Sequence, residues 1–204
     1  MPGDVEPAGV VGQLLLMRGI WYNVPPVRRF ALRLGNAFSR NMNEVPTFKL
    51  RSARLADAEG IFALIKDHND LLVPKPMGDI VASIDRFVVA EVAGVIVGCA
   101  TYSILPEIGA VDRATVEVQS VAVSEPFRRF GVGRALVESV LKRIESFEPA
   151  DALVLTFAPE FFAKLGFVEI PKSKVMHKLY SGCIHCTKHA DPFTCPEIAM
   201  SKKI

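Results

Sequence analysis

Residues 128–135 read Arg-Arg-Phe-Gly-Val-Gly-Arg-Ala, two glycines one residue apart with arginines on both sides. Upstream, Thr-Val-Glu-Val-Gln-Ser-Val-Ala-Val (115–123) reads as a strand. Downstream, Leu136, Val137, Val140, Leu141, Ile144 and Phe147 recur at close to a helical period, so the spacing predicts a helix over 134–147. The stretch is therefore a strand–loop–helix junction whose loop has been stripped of side chains. Free backbone N–H groups at a helix N-terminus form a phosphate site, and flanking arginines strengthen it.

Around this junction the chain divides into three. Residues 47–180 read as the folded body of 204 residues, with 1–46 as an extension and 181–204 as a cysteine-bearing tail. In the body, Phe48–Ala53 reads as a strand, and a helix from about Asp57 turns Ile61, Leu64 and Ile65 inward. A loop, Asp70-Leu-Leu-Val-Pro-Lys-Pro-Met77, leads to a short helix around Ile80–Ile84. Residues 87–105 are apolar enough to imitate a membrane span, yet Glu91 interrupts them and Ala93-Gly94 offers a turn between β-branched runs. A buried hairpin is the better reading. Beyond the glycine loop follow a strand at Ala152–Thr156, a short helix Glu160–Leu165 capped by Gly166, and two closing strands at Phe167–Ile170 and Val175–Tyr180.

Bulk composition excludes several classes. Half the residues are hydrophobic, so the chain has a core to bury. A net charge of +2 with no concentrated basic face argues against nucleic acid. Asp4 and Glu6 stand where a secretory signal would be basic, so a reducing, cytoplasmic compartment and free thiols are expected for Cys99, Cys183, Cys186 and Cys195. The extension carries five arginines between Pro7 and Asn43 and no acid, and Val27, Phe30, Ala31, Leu34 and Phe38 share one helical face. Three roles fit it: a helix packed on the domain or on a second subunit of a homodimer, an organelle transit segment, or a membrane-surface helix.

Arg128-Arg-Phe-Gly131-Val-Gly133, the strand Val-Glu-Val-Gln-Ser-Val-Ala-Val before it and Phe161-Phe-Ala-Lys-Leu-Gly-Phe167 after it together resemble the GNAT acetyltransferases over residues 48–180. Within them, Leu71-Leu-Val-Pro-Lys75, Val97-Gly-Cys99-Ala, Leu155-Thr-Phe-Ala-Pro-Glu-Phe-Phe162 and the tail are similar to the short amino-acid or glutamate N-acetyltransferases, which open arginine synthesis. The resemblance implies an α/β fold with a central, mostly antiparallel sheet flanked by helices, and acetyl-CoA as the acetyl donor. The implied function is N-acetylation of a small amino acid, glutamate first. Two rivals remain: acetylation of another amine (polyamine, antibiotic or protein N-terminus) and a non-catalytic acetyl-CoA-binding module.

The resemblance also implies roles. The amides of Arg129, Phe130, Gly131, Val132, Gly133 and Arg134 would cradle a pyrophosphate, with Arg128, Arg129 and Arg134 adding charge. The strand before the loop splays from its neighbour in these proteins, which frees backbone groups of Val121, Ala122 and Val123 for the pantetheine arm and for an oxyanion. Glu117 is the expected general base, in valine-rich surroundings that favour partial burial. Phe162 stands where many of these enzymes have a proton-donating tyrosine, leaving Tyr180, water or unassisted thiolate departure. Lys75 and Lys178 are the expected cations for the acceptor's carboxylates, and Cys99 a pocket-lining thiol or a small core residue. The tail spacing Cys183-x2-Cys186-x2-His189-x5-Cys195 is one zinc could use; the expectation is a reduced, metal-free tail packed over the substrate side.

Overall fold

A computed structural model describes residues 47–107, 110–183, 186, 188–189 and 191–204. The extension over residues 1–46 lies outside the described residues.

Seven strands form one sheet in the order β1-β2-β3-β4-β5-β7-β6. They are β1 (Lys49–Ser52), β2 (Val88–Val92), β3 (Val95–Glu107), β4 (Ala110–Val123), β5 (Asp151–Thr156), β6 (Val168–Glu169) and β7 (Ile198–Lys202). Every pairing is antiparallel except β4 with β5. The helices are α1 (Ala58–Asp67), α2 (Met77–Ala82), α3 (Val132–Ile144), α4 (Pro159–Ala163) and α5 (Met176–Ser181). The apolar run at 87–105 is the expected hairpin, turning through Ala93 and Gly94, both at positive φ (49° and 80°). Among the described residues no helix is long and apolar enough to cross a membrane.

Alternation along the strands makes this sheet the middle of a three-layer stack. On β2, Val88, Ala90 and Val92 join the core beneath α3, while Val89 joins the one beneath α1. On β5, Ala152 and Val154 again face α3, and Leu153 meets Val175 and Leu179. Helix α3 contributes Leu136, Val137, Val140, Leu141 and Ile144, all buried. It approaches so closely that a Cβ on Gly98 would lie 2.9 Å from Leu136 Cδ1 and 3.1 Å from Val132 Cγ1. Gly98 thus sets the helix–sheet distance.

Three expectations change. Val175–Tyr180 is not a strand: a 3-10 turn at Lys172–Val175 runs into α5. Val175 and Leu179, four residues apart, are both buried, which is the helical spacing. The strand the sheet needs comes from the tail, where β7 inserts between β5 and β6. Phe147 lies beyond α3 in a 3-10 turn, about half exposed, its ring centroid 5.8 Å from Tyr102.

Candidate active site

Strands β4 and β5 pair only at Thr115–Asp151, Val116–Ala152 and Glu117–Leu153. Beyond that point β4 continues to Val123 and β5 to Thr156 without pairing, so the sheet opens into a cleft. A bulge between β3 and β4 assists: Ser120 and Val121 together oppose the single Ala100, with Ser120 at φ 51°. The cleft leads into a cavity of about 800 Å3, bordered on the β4 side by Gln119, Ser120, Val121 and Val123 and on the β5 side by Leu155, Thr156 and Phe157. At 3.3 Å per residue, Glu117 and the end of β4 stand roughly 20 Å apart, and they mark the cavity's two ends.

At the far end of β4 lies the glycine loop. Gly131 caps α3 at φ 81°, a conformation that side chains rarely tolerate, and open space surrounds its missing Cβ. Arg128, Arg129, Gly131, Gly133 and Arg134 line the cavity. Arg128 donates from Nε to the Val123 carbonyl (3.2 Å), and Arg134 to Lys164 O (3.1 Å) and Glu138 (3.3 Å). Phe130 and Val132 are not part of the lining: Phe130 is turned to solvent and Val132 into the core. Ala122 likewise faces the core beneath α1, whereas its neighbours Val121 and Val123 face the cavity. The amides of an N-terminal helix turn and four nearby cations (Lys164 is the fourth) suit a polyphosphate.

The other end is built from four separate parts of the chain. Glu117 is 5% exposed, and its Oε2 accepts from Lys178 Nζ (2.7 Å) and Gln119 Nε2 (2.5 Å). Lys178, expected at a substrate carboxylate, is therefore found in an ion pair. Burial opposes its charge, but the attraction and hydrogen bond of Glu117 outweigh that and hold the ammonium above the usual lysine range. A pair this buried is costly to break from one side, by about 3–5 kcal/mol. Lys75, in the loop before α2, makes no ion pair among the described residues. Burial pushes its pKa down, only partly countered by Asp79 and Glu117.

Cys99 takes the core role. It is fully buried among Ile61, Ile65, Phe87 and Val89, donates to Ser120 O (3.5 Å), and burial pushes its thiol up to about 12. Tyr180 is 65% exposed and not part of the lining, so it is not placed as a proton donor; buried Phe162 lines the cavity but has no proton to give.

The tail is expected over the substrate side, and there it lies. The tail crosses the acceptor end, bringing Cys183, Cys186, His189, Cys195 and Glu197 to the wall. Lys172 donates to the carbonyls of Pro192 and Cys195, and Lys188 to that of Asn69, which pins the crossing. Burial raises the thiols of Cys183 and Cys195 and the carboxyl of Glu197 above their ordinary values. Among the described residues no group of three or more His, Cys, Asp or Glu side chains is placed to hold a metal ion. His68 is missed by the sequence reading: buried at the end of α1, its ring nitrogens lie 2.8 Å from Leu64 O and 2.9 Å from Val123 O, tying α1 to the end of β4. Nothing in the local sequence announces it, because it depends on long-range packing.

Known proteins share this fold. Residues 55–167 match the model of the acetyltransferase (GNAT) family. An uncharacterized N-acetyltransferase of Chlorobaculum tepidum is 31% identical over 157 residues, which are 76% of this chain and 96% of that protein. An amino-acid acetyltransferase of Mycobacterium tuberculosis is 29% identical over 136 residues, 64% of this chain and 74% of that one. Among solved structures, a Mycobacterium tuberculosis protein in complex with CoA and NLQ superposes with a TM-score of 0.63 at 23% identity, covering 76% of this chain and 99% of that one. N-acetylglutamate synthase from Neisseria gonorrhoeae, complexed with coenzyme A and N-acetyl-glutamate, gives 0.62 at 19% identity over 77% of this chain and 35% of its own.

Proposed function

The chain belongs to the GNAT acetyltransferase family, and on that premise we propose that this acetyl-CoA-dependent N-acetyltransferase acts on the α-amine of a small amino acid, L-glutamate first, as in the opening step of arginine synthesis. The observation that carries the acceptor reading is Lys75, a desolvated cation without an ion-pair partner among the described residues, in the same cavity as the buried carboxylate Glu117. An amino acid offers the complement of that pair, an anion and an ammonium. The printed name of the Mycobacterium tuberculosis relative, an amino-acid acetyltransferase, supports the same class.

The residues present fit acetyl-CoA: the open space at Gly131 and the arginines around it match a polyphosphate, and the unpaired stretches of β4 and β5 match an extended arm. Bound there, acetyl-CoA supplies the activated thioester carbonyl. Gly131 and Gly133 let the loop amides approach phosphate oxygens, while Arg128 and Arg129 neutralise them. The unpaired β4 amides beyond Glu117 provide hydrogen-bond donors for a developing oxyanion. Glu117 takes a proton from the acceptor's ammonium, leaving the nitrogen lone pair free to react. Lys75 fixes the acceptor by a carboxylate, as a point charge where an arginine would grip with two prongs.

Asp79, Glu117 and Glu197 in the same wall favour a second reading, a cationic acceptor such as a polyamine. Thiol release measured across the twenty amino acids and several polyamines separates the two. Glutamate should give the highest kcat/KM; a polyamine-only response would replace the amino-acid reading.

A further inference from the structure

Glu117 is held asymmetrically. Both of its donors, Lys178 Nζ and Gln119 Nε2, converge on Oε2. No donor among the described residues is directed at Oε1. Yet the single fully buried side-chain polar atom without a partner among them is Thr101 Oγ1, so Oε1 is open to the cavity rather than sealed in the core. Gln119 and Lys178 both line that cavity, reaching Glu117 from different elements: Gln119 lies two residues along β4, and Lys178 comes from α5, sixty-one positions later in the chain.

We propose that Lys178 and Gln119 are positioning residues that clamp Glu117 by Oε2 and present Oε1 as the atom that takes the acceptor's proton. This rests on the reading of Glu117 as the base. The step balances simply: an N–H bond of the ammonium breaks, the proton forms a bond to Oε1, and the electron pair stays on nitrogen; the proton later passes to solvent through the cavity. A carboxylate held by one oxygen cannot rotate, so its second oxygen keeps a fixed direction. Lys178 is then occupied and does not bind the acceptor's carboxylate, which leaves that contact to Lys75. The charged and titratable groups facing Lys178 are Glu117 from β4, Cys183 and Glu197 from the tail, and Lys75 from the loop before α2.

The test separates positioning from substrate binding in the full-length protein, using the acceptor with the highest thiol-release rate. Lys178→Met should lower kcat roughly tenfold or more while KM for the acceptor stays within about twofold. Gln119→Leu should lower kcat by a smaller factor, again without moving KM. Lys178→Arg, which keeps a charged donor, should recover most of the rate. A raised acceptor KM with kcat unchanged in Lys178→Met would overturn the proposal and make Lys178 a substrate ligand. An arm that needs no acceptor covers poor folding or an inactive panel: NMR titration of the lysine Nζ groups in the wild type and in Glu117→Gln. Lys178 should titrate above the usual lysine range in the wild type and move down in the variant. An unchanged titration would also overturn the clamp, whereas a response confined to polyamines would refute only the amino-acid reading.

Discussion

The two ends of the cavity are made in different ways. The cofactor end comes mainly from one continuous strand–loop–helix, β4 through α3, whose amides and three arginines lie within a dozen residues, with Lys164 added from beyond α4. The acceptor end draws Lys75, Glu117, Lys178 and Glu197 from four places spread over more than a hundred residues. The first is a local arrangement of a kind that suits a phosphate. The second needs the tail, which β7 carries into place between β5 and β6. We therefore expect phosphate binding to depend on few residues and acceptor choice on many.

Substitutions should expose this contrast, starting with the reaction centre. Glu117→Gln should cut turnover by about a hundredfold or more and remove the acidic limb of the pH–rate profile, with acetyl-CoA affinity by calorimetry hardly changed. Gly131→Val forces a β-branched residue to φ 81° and places methyl groups in space meant for phosphate oxygens. Its dissociation constant for acetyl-CoA should rise about tenfold or more, while the acceptor end is untouched. Gly98→Val, at the contact of β3 with α3, should cost about 1–3 kcal/mol in denaturant unfolding and lower the melting temperature without favouring either end.

The smallest change in stability should come from Lys75→Met, and its sign is informative. A cation whose folded pKa is depressed by burial costs stability while it is charged in the unfolded chain, at any pH below the usual lysine value. The cost fades as pH rises through that value. Lys75→Met should therefore leave the melting temperature at neutral pH unchanged or slightly raised, with the gain vanishing in strong alkali. A clear loss of stability would mean that Lys75 has a structural partner.

The same division decides what could be read from the sequence. The glycine loop, its helix and the hairpin were legible because their signals are local: Gly131 and Gly133 between arginines, a stripe of Leu136, Val140 and Ile144, and Ala93-Gly94 between β-branched runs. Glu117 was legible through the family resemblance, and the structure puts it in the cavity wall. Lys178 was legible as a cation of the acceptor end, but its ion pair with Glu117 was not, since a sequence does not show that α5 folds back over β4. For Cys99 the sequence allowed a pocket-lining thiol or a small core residue, and the strand's alternation turns it towards α1. The tail was expected to pack over the substrate side and does line that wall, but its strand was not legible. Read as a separate cysteine-bearing piece, it supplies a sheet strand and Glu197, and the alternation within Ile198–Lys202 is too short to announce itself.

The central proposal, that a desolvated lysine without an ion-pair partner among the described residues selects an anionic amino acid, is tested most directly by the KM for glutamate in Lys75→Met and Lys75→Arg, with the KM for acetyl-CoA measured beside it. A charge-assisted contact worth about 1.5–3 kcal/mol predicts a rise of roughly ten- to more than a hundredfold for Lys75→Met. Lys75→Arg should be equal to the wild type or better, and the acetyl-CoA value should stay constant in both. A glutamate KM that does not move in Lys75→Met would contradict the account.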